Sequence, residues 1–345
     1  MNIVTPLTNA ESYETLAEAG ADEFYCGYVP GEWLKKYSSL LPFNRREYLL
    51  GNHNITNLSS MKILGRKVEY YGIPVKITMN SHYYLARQYD EVVEYIRRLM
   101  DIGFNTFILA DLSFVLYLRE QGVDCQIHIS GEVETYNRET VQFVNQAKVS
   151  RIVFPRKINL GNIRSVIEGS GIADMEYEAF FLNAFCLYSG AFCNGTHCDE
   201  MSPVCEIPMV PGRFEDNGRF KRAESYLHKM TGIQNKLHSR EAEQSKPASA
   251  GHEVGNWGCG MCRIKELESI GVTHLKVVGR GGALENLAED IRIAKSALQM
   301  NTEQPERQEA EIRQELGYRC SYLCYYPSGL PHEDNETRPV SVTSK

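Results

Sequence analysis

Short apolar runs rich in β-branched residues alternate with amphipathic stretches along most of the chain. Ile3-Val4-Thr5-Pro6-Leu7 is the first such run. Asn9 to Ser12 then offers an N-cap, Tyr13, Leu16 and Ala17 follow at helical spacing, and Gly20 is the stop. A second strand is predicted from Glu23 to Tyr28, and the less regular stretch to Tyr71 holds a helix starting near Ser59. From Pro74 the rhythm is clean, with strands predicted at 74–80, 105–110, 125–130, 151–155 and 176–182. Helices at 89–102, 112–121, 138–147 and 161–167 separate them, several ending on glycine. After a polar interruption come a helix at 263–270, an eighth strand at 273–278 and a long final helix at 283–299. This alternation predicts parallel strands joined by helical crossovers. Eight strands, mostly apolar on both faces, favour a closed (β/α)8 TIM-barrel-like α/β fold over a doubly wound sheet. No glycine-rich phosphate fingerprint follows the first strand, which removes the usual reason to prefer the open sheet.

Two segments break the pattern. Residues 212–256 are charged and polar, with a linker-like run at 245–251 and a helix predicted near 222–230. The chain is polar again from 301. The expected organisation is therefore a barrel over 1–300 with a polar insertion near 212–256, and a C-terminal extension over 301–345 whose last part is disordered. The 345 residues are 43% hydrophobic, enough for a large buried core. The net charge of −7 argues against DNA and anionic membranes as partners, while leaving room for a local basic patch over an RNA-binding cleft. No run approaches the roughly 18 consecutive apolar residues of a membrane span. The first residues lack a charged-then-apolar leader layout, so a cytoplasmic location is expected.

That compartment makes the ten cysteines informative, because a reducing cytosol disfavours structural disulfides. Cys26 and Cys125 stand alone in apolar runs and read as core residues. The other eight fall between Cys186 and Cys324. Cys186, Cys193, Cys198 and Cys205 follow the seventh strand, whose carboxyl end lies at the catalytic face of a barrel. Cys259 and Cys262 precede the helix leading into strand eight, so the two groups can meet in space. Four thiolates suit an iron–sulfur cluster or a tetrahedral zinc ion. The close pairs Cys259/Cys262 and Cys320/Cys324 suit zinc, and scattered ligands suit a cluster; spacing leaves both open.

The run from Glu178 to Cys193, with its Tyr188-Ser189-Gly190 and a second cysteine seven residues after the first, resembles the signature of the collagenase-like peptidase family U32. Cys262, Ile264, Leu267, Gly271-Val272, Leu275-Lys276 and Gly279-Arg280 resemble the second block of that family, and Asn80 and Asn137 stand where it tends to carry Asn. The resemblance implies a barrel-like domain with a [4Fe-4S] cluster on Cys186, Cys193, Cys205 and Cys262. It leaves Cys198, Cys259, Cys320 and Cys324 without a role. Some members hydroxylate the ubiquinone ring or RNA bases without oxygen, with prephenate implicated, and others are described as collagenase-like proteases. The chain departs from the family where His-Gly gives way to Leu182-Asn183, Arg-Glu to Arg156-Lys157, and an acidic residue to Val278.

The leading expectation is thus an iron–sulfur protein in hydroxylation or modification of an RNA base or a small aromatic molecule, with a partner subunit of the same family. A metal-dependent collagenase-like peptidase is one alternative, although neither His-Glu-x-x-His nor Gly-x-Ser-x-Gly occurs. A zinc-stapled, non-enzymatic scaffold is the other. Substrate-binding candidates are Arg280 and Arg156 at strand ends, where an anion clamp is expected, with Asn80 and His82 beside them. His128 reads as a satisfied barrel-lining residue, and Glu132 and Glu134 as loop glutamates with an acid–base alternative. His197 reads as a residue outside the metal's own ligand set. Tyr28, Tyr37, Tyr83, Tyr84, Tyr188, Tyr325 and Tyr326 read as rim packing, or as a stacking surface for a base.

Overall fold

The computed structural model describes residues 1–37, 41–45, 53–186, 190, 228–229, 231, 252–318 and 323–327. Eight parallel strands close into a barrel in sequence order. They are β1 (Asn2–Leu7), β2 (Glu23–Gly27), β3 (Val75–Met79), β4 (Thr106–Leu109), β5 (Gln126–Ile129), β6 (Arg151–Val153), β7 (Glu176–Leu182) and β8 (His274–Val277). Closure is made by β1 on β8, with Asn2 opposite His274 and Val4 opposite Lys276. Around them lie α1 (Tyr13–Glu18), α2 (Gly31–Tyr37), α3 (Leu58–Tyr71), α4 (Tyr89–Met100), α5 (Leu112–Glu120), α6 (Arg138–Asn145), α7 (Leu160–Ser170), α8 (Ile264–Ser269), α9 (Leu284–Glu303) and α10 (Glu309–Leu316). The predicted (β/α)8 barrel is the observed architecture.

Local chemistry explains where the helices start and stop. Asn57, Asp111, Asn137 and Asn159 each accept a hydrogen bond from a backbone N–H three residues on, at 2.8–3.0 Å. Asn137, set apart above by family resemblance, is thus the cap of α6. Gly72 and Gly171 end α3 and α7 in the left-handed conformation that a side chain would oppose. Between strands and helices the packing is apolar, with Ile3, Leu7, Phe24, Ile77, Phe107, Ile127, Ile152 and Leu275 fully buried.

The barrel interior is not wholly apolar. Arg151, 2% exposed, reaches Glu23 at 2.6 and 3.0 Å, Glu178 at 3.0 Å and His274 at 2.9 Å. Glu178 in turn accepts from Lys276 Nζ at 2.6 Å. Burial would raise the Glu178 carboxyl, but Lys276 and then Arg151 outweigh it and hold it at about 2. His128 lies in the same layer, buried, with Nδ1 unpartnered. The expectation of a satisfied histidine is therefore corrected. Burial first, then Arg151 and Lys76, push its pKa well down, so it stays neutral and tolerates the missing bond.

The C-terminal part also departs from the sequence expectation. The helix predicted to be last is followed by α10, and residues 323–327 then return to the barrel. Cys259 N–H donates to Leu323 carbonyl at 3.1 Å, and Tyr325 N–H to Cys259 carbonyl at 2.9 Å. The hydroxyls of Tyr325 and Tyr326 donate to the carbonyls of Asn183 and Phe180. Most of the polar insertion, its predicted helix near 222–230 apart from 228–229, and the tail beyond 327 lie outside the described residues. Among the described residues, no helix is long and apolar enough to cross a membrane.

Candidate functional site

The carboxyl ends of the strands surround a cavity of about 610 Å3, counting the part open to solvent. Its walls carry Arg45, Arg156, Lys276 and Arg280 as cations and Glu132 as an anion, with Tyr25, Ile108, Val153, Phe180 and Val278 between them. Charge of one sign gathered in a partly enclosed cleft attracts an anion and strengthens its binding.

Each cation is held in place. Arg280 follows β8 and donates from Nη1 to Asn54 Oδ1 at 3.0 Å. Asn44 Nδ2 donates to the Thr78 carbonyl at 2.5 Å, and Asn80 Oδ1 accepts from the Arg45 backbone at 3.3 Å. These contacts meet at Gly27, the last residue of β2, where a Cβ would stand 1.7 Å from Asn54 Oδ1 and 2.6 Å from Arg280 Nη1. Gly27→Ala should therefore displace Asn54 and Arg280 and cost about 1–3 kcal/mol. Urea denaturation checks this, and stability equal to the parent would show that Arg280 is free to move aside.

Arg45 Nη1 donates to Glu132 Oε2 at 2.5 Å and lies 2.5 Å from His82 Nε2. Arg156 Nη1 reaches the other oxygen of Glu132 at 3.1 Å, and its guanidinium stacks 4.3 Å over the Phe180 ring. Glu132 is thus a buried bridging anion and not an exposed loop glutamate. Burial opposes its charge, but Arg45 and then Arg156 prevail and hold the carboxyl at about 2, too low for a general base near neutrality. His82 is lowered by burial and then by Arg45, so it is neutral and accepts from Arg45. The structure gives His82 a place beside Arg45 and not on the cavity wall, whereas Asn80, Arg156 and Arg280 line the cavity.

Gly190 docks on this rim. Gly190, between Cys186 and Cys193 in sequence, donates its N–H to Glu134 Oε1 at 2.5 Å and accepts from Arg45 Nη1 at 3.2 Å. A Cβ there would lie 2.2 Å from Glu132 Oε2, so the contact needs a glycine.

Of the expected cluster ligands, Cys186 and Cys262 are described; Cys193 and Cys205 lie outside the described residues, as do Cys198, Cys320 and His197. Cys186 is close enough to Arg156 and Tyr325 to act on both electrostatically. Cys262 hydrogen-bonds Cys324, with Cys259 nearby. Within that pair the proton stays on Cys262, whose pKa rises, while the bond from Cys262 lowers Cys324 to about 6. Among the described residues, no three His, Cys, Asp or Glu side chains form a group able to hold a metal ion. The donor chemistry nevertheless fits a thiolate-bound group: Arg156 adjoins Cys186, and Arg263 adjoins Cys262 and Cys324.

Comparison with known proteins decides the family. The model of Peptidase family U32 matches residues 8–322. The chain belongs to this family. Over 96 residues it is 28% identical to tRNA hydroxylation protein P of Escherichia coli (strain K12), covering 28% of this chain and 21% of that protein. Over 199 residues it is 25% identical to tRNA hydroxylation protein P1 of Bacillus subtilis (strain 168), covering 56% of this chain and 42% of that protein. The chain thus spans less than half the length of these relatives. The solved structure of the U32 peptidase Mk0906 aligns with TM-score 0.39 and 10% identity over 53% of this chain and 69% of that one.

Within this U32 chain one departure has a local explanation. Position 183, where the family resemblance leads to glycine, has φ +65°, and Asn is among the few side chains that tolerate that backbone. The cavity residues that sequence reading missed are Arg45, Lys276 and Thr78. Arg45 sits in the irregular stretch with no periodicity to mark it. Lys276 carried a usable signal, a cation inside an otherwise apolar strand.

Proposed function

We propose that this U32 chain takes part in the oxygen-independent hydroxylation of an RNA base, with a small aromatic molecule as the other substrate class. The observation that carries the reading is the cationic cavity at the barrel mouth, with Gly190 docked on its rim and Cys186 beside Arg156. Family membership and the names of the RNA-hydroxylating relatives support it. Cys186, Cys193, Cys205 and Cys262 would hold a [4Fe-4S] cluster, which supplies one-electron chemistry when bound. Arg156 and Arg280 bind an anionic co-substrate in the cavity, Asn80 fixes the Arg45 backbone, and Glu132 holds Arg45 and Arg156 together against their mutual repulsion. The Phe180 and Tyr25 rings and the apolar wall exclude water around the bound anion.

The test is anaerobic purification with iron and sulfide analysis, together with mass-spectrometric scoring of hydroxylated nucleosides in RNA from cells with and without the gene. Cys186→Ala should lose most of the iron and the hydroxylated nucleoside together. A colourless protein holding stoichiometric zinc without sulfide, or RNA whose nucleosides are unchanged by deletion, would overturn the proposal. The Cys262–Cys324 contact favours a second reading, a zinc ion held by that pair together with ligands outside the described residues, such as Cys320. Cys324→Ala would then release zinc and leave the iron of the same preparation untouched.

A further inference from the structure

After α10 the chain returns to the barrel through residues 323–327, which lie beyond the part matched by the family model. Tyr325 and Tyr326 of this return are both buried. Their rings rest on two glycines: a Cβ at Gly258 would stand 3.1 Å from Tyr325 Cε2, and one at Gly260 would stand 2.9 Å from Tyr326 Cε2. The seat is thus shaped for two rings.

Both tyrosines act on one residue, Phe180 of β7. The Tyr326 hydroxyl donates to the Phe180 carbonyl at 2.6 Å. The Tyr325 ring stacks on the Phe180 ring, with centroids 6.0 Å apart and planes 25° from parallel. The Tyr325 hydroxyl donates to the Asn183 carbonyl at 2.5 Å, which fixes the far end of its ring. Burial keeps both phenols protonated, so each remains a donor.

Phe180 in turn carries Arg156, whose guanidinium lies 4.3 Å over the ring. Arg156 Nη1 reaches Glu132 at 3.1 Å, and Nε has no hydrogen-bond partner among the described residues. Arg45, by comparison, reaches Glu132, His82 and the Gly190 carbonyl. One hydrogen bond allows a guanidinium to swing about it, so the ring face settles which way Arg156 points. A desolvated contact of this kind is worth about 2 kcal/mol, as much as a hydrogen bond to a charged group.

We propose that Tyr325 is a positioning residue for the cationic cavity: by stacking on Phe180 it fixes the face on which Arg156 rests, and so sets the affinity for an anion, which rests on the anion-binding reading of that cavity. Tyr325 does not line the cavity and is assigned no chemical step.

The test uses the full chain and two readouts. The first is the Arg156 Nε–H resonance in an isotope-labelled NMR spectrum, identified by its loss in Arg156→Lys. A ring beneath a proton moves its resonance to higher field. Tyr325→Leu should return the signal towards the ordinary arginine position, with Tyr325→Met as the better-filling substitute should leucine not fold. Tyr325→Phe loses only the hydroxyl, keeps the stack and should leave the signal in place. The second readout is calorimetric titration with inorganic phosphate. Tyr325→Leu should weaken binding about tenfold, the equivalent of losing most of the ring contact, and Tyr325→Phe less than about twofold. Tyr318→Phe is the control. It removes a buried hydroxyl bonded to Glu309, away from the cavity walls, and should lower stability while leaving both readouts unchanged. An Arg156 signal unmoved by both ring-removing substitutions at Tyr325, or moved equally by Tyr318→Phe, would overturn the inference. Phosphate binding as tight in Tyr325→Leu as in the parent would overturn it alone. A parent that takes up no phosphate at millimolar concentration would overturn the anion reading itself.

Discussion

Arg151→Met should destabilise the protein by about 3–5 kcal/mol, because it removes one member of a buried ionic network and strands the others. Arg151 is 2% exposed and is the shared partner of Glu23, Glu178 and His274. Methionine fills much of the same volume but leaves Glu23 and Glu178 facing each other across the barrel with only Lys76 and Lys276 to compensate. Arg164 is the control, since its pair with Glu168 is exposed and 3.9 Å apart. Arg164→Met should cost no more than about 0.5 kcal/mol. Urea denaturation of the two variants decides the matter. Equal stabilities would mean that the network contributes no more than a surface pair.

Acidification should remove the support that Glu132 gives Arg45 and Arg156 once the pH falls below about 4.5. Its folded pKa of about 2 lies below the ordinary 4.5, so its contribution is fully present above 4.5 and fades as the pH falls towards 2. That interval corresponds to roughly 3 kcal/mol, and Glu178 adds a loss of the same sign over the same interval. His82, with its pKa lowered by burial and by Arg45, begins to add a further loss below 6.5. Glu132→Gln should therefore be much less stable than the parent at pH 7 and close to it near pH 2. A stability difference that stays constant between pH 6 and pH 2.5 would show that the carboxylate is not held by the two arginines.

Much of the barrel was readable because its signals are local. The predicted seventh strand coincides with β7 at Glu176–Leu182, since the apolar run is bounded by polar turns. The helix predicted at 112–121 likewise starts where α5 does, at Leu112. The mouth was legible only in part. Arg156, Arg280 and Asn80 could be placed at strand ends, but Arg45 comes from residues 41–45, where no periodicity reveals a partner 87 residues away in Glu132. The C-terminal return was only faintly marked, by the cysteine and tyrosines at 322–327, for a similar reason. Cys324 reaches Cys259 and Cys262 through a backbone ladder that a polar tail does not announce.

By itself the sequence determined the strand and helix alternation, the barrel class, the burial of Cys26 and Cys125, and the strand ends at which cations gather. These follow from side-chain periodicity and caps, which depend on neighbours a few residues apart. Tertiary structure alone decided that Glu132 is a buried bridge between Arg45 and Arg156, and that Arg151 organises the barrel interior. Burial and charge pairing set those properties, and both depend on residues brought together only when β1 closes on β8.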